Sequence, residues 1–148
     1  MASLFSAPDR AVLLGRVRGL RPDAGRQWGK MSAAQMLAHC QLPLKVALGE
    51  LALERNWIGK LFGGMVKRSL VGPKPLKRNG PTAPAFVVQT ERDFAVEQPA
   101  LAGLIERFAQ RGPEGLAKEH PFFGPMSAAD WDTLQCKHLD HHLRQFGA

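Results

Sequence analysis

Apolar residues recur at helical spacing along four long stretches of the chain. From Asp9 to Leu20, the residues Val12, Leu13, Val17 and Leu20 gather near one face while Arg10, Arg16 and Arg18 lie elsewhere, which predicts a first helix stopped by Pro22. Gly25 to Lys30 reads as a turn. Ser32 followed by Gln35 has the form of a capping box and opens a second helix running to about Glu50. Pro43 lies inside that run; lacking an N–H, it should kink the helix or end its first segment near Leu42. Asp93 caps a further helix from about Phe94 to Arg111, striped by Leu101, Leu104, Ile105 and Phe108 and ended by Gly112 and Pro113. Ser127 with Asp130 opens the last, which runs to about Phe146 before Gly147.

The segments between these helices are weaker in pattern. The pairs Trp57/Ile58, Leu61/Phe62 and Met65/Val66 recur every four residues and predict a short helix, although Gly59, Gly63 and Gly64 lower its propensity. Val71 to Pro84 holds four prolines and two glycines, which makes it a long loop. Phe86 to Gln89 reads as a short extended piece, and Glu114 to Met126 as a loop containing His120, Pro121, Phe122, Phe123 and Gly124. Neither an internal repeat nor a sustained strand alternation is visible. The expected architecture is therefore a single all-α domain over 1–148: a four-helix bundle with one extra short helix and long loops.

Composition narrows the class without naming a function. The chain has 148 residues, 45% hydrophobic and 22% charged, which excludes disordered and collagen-like classes. No run approaches the roughly 18 apolar residues of a membrane span, and the first ten residues lack the basic start and apolar core of a signal peptide. The expectation is a cytoplasmic protein with no membrane partner; a homodimer is compatible with the sequence. Cys40 and Cys136 are too few for a disulfide framework and are expected as free thiols.

The net charge of +7 is a regional feature. Arg55, Lys60, Lys67, Arg68, Lys74, Lys77 and Arg78 all fall in one segment, and no acidic residue lies between Glu54 and Glu91. Such a segment can be a solvated loop, an anion site, or a surface for nucleic acid or acidic lipid. Nucleic acid is the weakest of these, because a binding coat would spread along a face and interleave aromatic residues.

The histidines carry the candidate chemistry. With His138 at zero and about 100° per residue, Trp131 falls near 20°, Leu134 near −40°, Leu139 near 100° and Leu143 near 140° on the last helix. Lys137, Thr133, Asp140 and Arg144 gather on the opposite side. His142 at about 40° joins His138 on the inward face, and His141 at about −60° lies on its border. Imidazoles one turn apart can direct nitrogens to one point, as in helical His-x-x-x-His metal units. The same construction turns His39 inward on the second helix. Each buried neutral imidazole has a donor and an acceptor to satisfy, and a divalent metal shared by His39, His138 and His142 would serve all three. Three protein ligands leave a coordination position open for water or substrate.

At these residues the chain also resembles a known family. The segment from Trp28 to His39 (WGKMSAAQMLAH), His120 to Gly124 (HPFFG) and Lys137 to Phe146 (KHLDHHLRQF) are similar to the DinB-like (DinB/YfiT-like) metalloenzyme superfamily, within a branch of undefined function. The resemblance covers nearly the whole chain and implies a four-helix bundle with a three-histidine metal site. His39 matches the family's single ligand on the second helix, and His138 and His142 match its pair on the last. Members of the wider superfamily include transferases and isomerases that use mycothiol, bacillithiol or glutathione, whose sulfur the metal activates. The resemblance implies a divalent metal, zinc or nickel, and a low-molecular-weight thiol or other small-molecule substrate. A non-catalytic metal-binding or stress-related module, and a basic nucleic-acid-binding protein, remain as alternatives.

Cys136 points about 160° from His138, and Cys40 about 100° from His39, which disfavours a nucleophile or extra ligand. His141 beside Asp140 is either a border residue or a proton shuttle. His120 is either a lid on the pocket or a loop anchor beside Phe122 and Phe123. Trp131 reads as core. Lys74, Lys77 and Arg78 are candidates to receive the carboxylates of a thiol cofactor.

Overall fold

The computed structural model describes residues 2–54 and 57–148, with side chains left out for 57–62. Five helices account for most of the chain: α1 (Ala7–Gly19), α2 (Ala33–Ala47), α3 (Trp57–Val71), α4 (Phe94–Arg111) and α5 (Ala128–Gln145). Two single 3₁₀ turns, Pro84–Phe86 and Pro113–Gly115, and a two-stranded hairpin of β1 (Glu119–His120) and β2 (Gly124–Pro125) complete it. The fold is all-α, as expected. Among the described residues no helix is long and apolar enough to cross a membrane.

Helix starts follow side-chain capping. Ser6 accepts from the Asp9 N–H and Pro8 sits in the first turn, so α1 begins two residues before the expected Asp9. Reciprocal capping boxes, Ser32 with Gln35 and Ser127 with Asp130, open α2 and α5, and Asp93 caps α4. Of the two expectations for Pro43, a kink or an end near Leu42, the second is corrected: α2 passes through Pro43 and ends at Ala47. A proline removes one intrahelical bond, here the N–H that would reach the His39 carbonyl, while eleven other residues of α2 are buried and hold the helix in place. The Pro43 carbonyl also accepts from Gln135 Nε2 at 3.1 Å.

The connecting segments depart further from the sequence pattern. Helix α3 runs five residues past Val66, and Lys67 on it pairs with Asp130 at 2.7 Å and donates to the Pro125 carbonyl. The pairs Trp57/Ile58 and Leu61/Phe62 lie outside the described side chains, as does Lys60, and Arg55 lies outside the described residues. A Cβ on Gly63 would collide with the Phe122 carbonyl, so a residue that weakens the helix is where its backbone meets the hairpin. In the piece expected to be extended, Phe86 closes a 3₁₀ turn and Val87 is extended, but 87–89 join no strand. The loop after α4 contains the hairpin, in register Glu119 to Pro125 and His120 to Gly124.

Helix α2 packs against both α4 and α5, α1 also contacts both, and α3 lies on α5. The core between them is built on Met36, Leu37, Leu44, Leu101, Ile105, Phe108, Trp131, Leu139 and Leu143. The indole of Trp131 donates to the Ala117 carbonyl at 2.7 Å, which satisfies its one polar atom inside that core. The α2–α5 contact is the one that brings histidines from two helices together.

Candidate metal centre

His39 projects from α2, and His138 and His142 project from successive turns of α5. One nitrogen from each of the three lies within 4.8 Å of the others, so the trio is brought together as the helical faces required. His39 and His142 are buried and His138 is half-buried. The three rings meet edge to face or tilted, with centroids 4.6 to 4.9 Å apart.

Hydrogen bonding decides which nitrogens are available. His39 Nδ1 lies 2.7 Å from the Phe86 carbonyl, which can only accept, so Nδ1 carries the proton and Nε2 keeps its lone pair. His142 Nδ1 lies 2.8 Å from Gln145 Oε1. The orientation of that amide is set in turn, because Gln145 Nε2 donates to the Trp28 carbonyl at 2.7 Å. His142 Nδ1 is therefore also the protonated nitrogen, and its Nε2 is free. Acceptors behind the rings are the arrangement that would orient these histidines toward a metal ion.

His138 Nε2 lies 3.0 Å from His39 Nε2, and its own Nδ1 is buried with no partner among the described residues. Since His39 Nε2 presents a lone pair, either the His138 proton or a cation must lie between the two nitrogens. Two imidazoles on one ion, at about 2.0–2.1 Å each, hold their nitrogens about 2.9–3.4 Å apart. The observed spacing fits.

Burial keeps the trio neutral, which is the ligating form. It lowers the His39 pKa against the opposing Phe86 carbonyl, and it lowers that of His142 to about 3, with the charge of His39 adding to the effect. His138 lies well below its ordinary value through burial and then through the neighbouring His142, His39 and His141.

Other candidate residues are placed as follows. Cys40 and Cys136 are buried free thiols; burial raises both, Cys136 to about 12 with Asp132 adding to the rise, so neither is a ready nucleophile. His120 is an anchor rather than a lid: it is 1% exposed, stacks on Phe123 and contacts Trp131 and Phe86. His141 is half-buried at the border, with its ring 5.0 Å from that of His142 and 5.4 Å from Trp28. Lys74, Lys77 and Arg78 are all exposed; Arg78 lies over the Trp28 ring and lines a cleft to which Lys74 and Lys77 do not contribute.

The sequence pattern alone does not single out Gln145 or the Phe86 carbonyl. Gln145 stands three residues after His142, a spacing that puts it within reach on the helix and could have flagged it. Nothing in the sequence points to a backbone carbonyl 47 residues from His39. Replacing Gln145 by Leu removes the acceptor behind His142. The expected result is metal affinity weakened by about 10–100-fold, measured by competition with a chromogenic chelator.

Helices that gather three neutral imidazoles around one point define a class: all-α proteins with a histidine cluster that could hold a metal ion. Within that class the chain belongs to the family described as "Protein of unknown function (DUF1569)", which matches residues 5–148. Neither the curated proteins nor the solved structures give a match.

Proposed function

We propose that this chain is a DinB-like four-helix-bundle metalloprotein that acts on a small molecule, with α1, α2, α4 and α5 as the bundle and α3 as the extra helix. His39, His138 and His142 are its ligands for a divalent metal, zinc or nickel. The observation that carries this reading is the pair of acceptors, Phe86 carbonyl and Gln145 Oε1, that hold Nδ1 of two histidines and leave Nε2 for a common centre. A divalent metal on three neutral imidazoles keeps its full charge and supplies stabilisation of an anionic ligand, a thiolate or hydroxide. The chain's own part is to keep the imidazoles unprotonated by burial, to fix two of their tautomers, and to exclude bulk water from His39 and His142.

The resemblance favours a thiol as the anionic ligand and a group transfer or isomerisation as the reaction. A panel of low-molecular-weight thiols with a chromogenic electrophile tests this on metal-loaded protein, chelated protein and His142→Ala. Thiol transfer in the loaded protein alone is expected. Equal rates in all three remove the proposal, and metal-dependent hydrolysis without thiol redirects it to hydroxide.

A further inference from the structure

Beside the trio lies a cleft of about 240 Å³ bounded by Trp28, Leu76, Arg78, Lys137, His141 and Arg144, with Asp140 in its wall. It is made by three parts of the chain: the turn before α2, the loop after α3, and the outer flank of α5 that carries Lys137, Asp140 and Arg144, with His141 at its border with the inward face of His138 and His142. Lys137 immediately precedes His138, and the His141 ring lies 5.0 Å from that of His142.

Three cations face one carboxylate in this cleft, and that carboxylate is already engaged. Asp140 pairs with Arg16 at 2.8 Å and with Arg144 at 3.3 Å. Lys137 donates to the carbonyls of Leu70 and Gly72, which uses two of its three hydrogens and leaves its charge. Arg78 is different. Its guanidinium carbon stands 4.2 Å from the centre of the Trp28 ring, and among the described residues no carboxylate pairs with it. A guanidinium laid on an indole keeps its edge N–H groups free, and that edge is a planar fork matched to a carboxylate. The platform is also fixed, because the Trp28 carbonyl is held by the same Gln145 that orients His142.

We propose that this cleft is a carboxylate-binding subsite, in which Arg78 on its Trp28 platform receives the acid group of a small ligand whose other end reaches toward the histidine trio. At about 30 Å³ per water-sized group the space takes about eight non-hydrogen atoms, which suits a short acid. The inference deepens the small-molecule reading above and rests on it. Of the three anion candidates in the sequence, Lys74, Lys77 and Arg78, it keeps Arg78 and sets Lys137 and Arg144 beside it in place of the two lysines.

Calorimetry on metal-loaded protein tests the subsite with three probes: 3-mercaptopropionate, its uncharged amide, and propionate. The wild type is expected to bind the mercapto acid at least about tenfold more tightly than the amide, as a charge-assisted fork requires. In Arg78→Gln the ratio should approach one with metal content unchanged. The same ratio in wild type and Arg78→Gln overturns the proposal, as does a ratio lost in the Lys74→Gln/Lys77→Gln variant instead. Undetectable binding of both acids overturns it as well. The thiol reading is scored separately: Arg78-dependent binding of propionate equal to that of the mercapto acid upholds the subsite and removes the thiol.

Discussion

On the proposed metal site, wild type should purify with a bound metal and protein carrying His138→Ala without it, and the same loss is expected for His39→Ala and for His142→Ala. Removing an acceptor behind a ligand costs about 10–100-fold in affinity, so deleting one of three direct ligands should cost more than about 100-fold. His141→Ala should keep the metal, because its ring sits at the border of the trio and supplies none of the clustered nitrogens. Mass spectrometry on matched preparations gives the stoichiometry, and circular dichroism checks that the helices remain. Thermal unfolding adds an independent measure: metal at about 100 times its dissociation constant stabilises a folded protein by about 2.7 kcal/mol, and this increment should vanish in the three ligand variants. Unchanged metal content in His138→Ala overturns the assignment of the trio.

The trio was legible because it is written in one periodicity. His138 and His142 stand four apart on a helix whose apolar face is marked by Trp131, Leu134, Leu139 and Leu143, and all four of those are buried. His39 lies between the buried residues Met36, Leu37, Cys40 and Leu44. Caps at Ser32, Asp93 and Ser127 were equally visible, since each is a contact between residues two or three apart. What could not be read was every contact between distant segments. Gly63 looked like a defect in a helix until the Phe122 carbonyl was seen against it. Lys67 looked like part of a free basic run, yet it is tied to Asp130 and the Pro125 carbonyl. Arg78 meets Trp28 across 50 residues, and Gln98 satisfies the carbonyls at the end of α1 from α4. None of these has a spacing to announce it, because side-chain reach and loop path decide them.

His120 shows how such a hidden contact becomes measurable, through the acid end of the stability curve. Its ring is enclosed by Phe123, Trp131, Phe86 and Phe122, and its Nδ1 accepts from the Phe122 N–H at 3.0 Å. Protonation at Nδ1 would end that hydrogen bond and place a charge among aromatic rings, and burial lowers the pKa from 6.5 to about 4. In the unfolded chain the same histidine takes its proton near pH 6.5. Between those two values the unfolded state binds more protons than the folded one, so stability falls as the pH falls from about 6.5 to about 4 and levels off below. The interval of about 2.5 units corresponds to about 3 kcal/mol at about 1.4 kcal/mol per unit. The trio titrates in the same direction, so the measurement is a comparison of wild type with His120→Asn, both treated with chelator. Asparagine offers Oδ1 in place of Nδ1 and cannot be protonated. Near pH 7 the wild type should be the more stable, because asparagine gives up the stacking on Phe123. On acidification its margin should shrink by about 3 kcal/mol, followed by urea unfolding at successive pH values. Parallel curves for the two proteins would mean that His120 is protonated at the same pH folded and unfolded, and that the aromatic enclosure does not govern it.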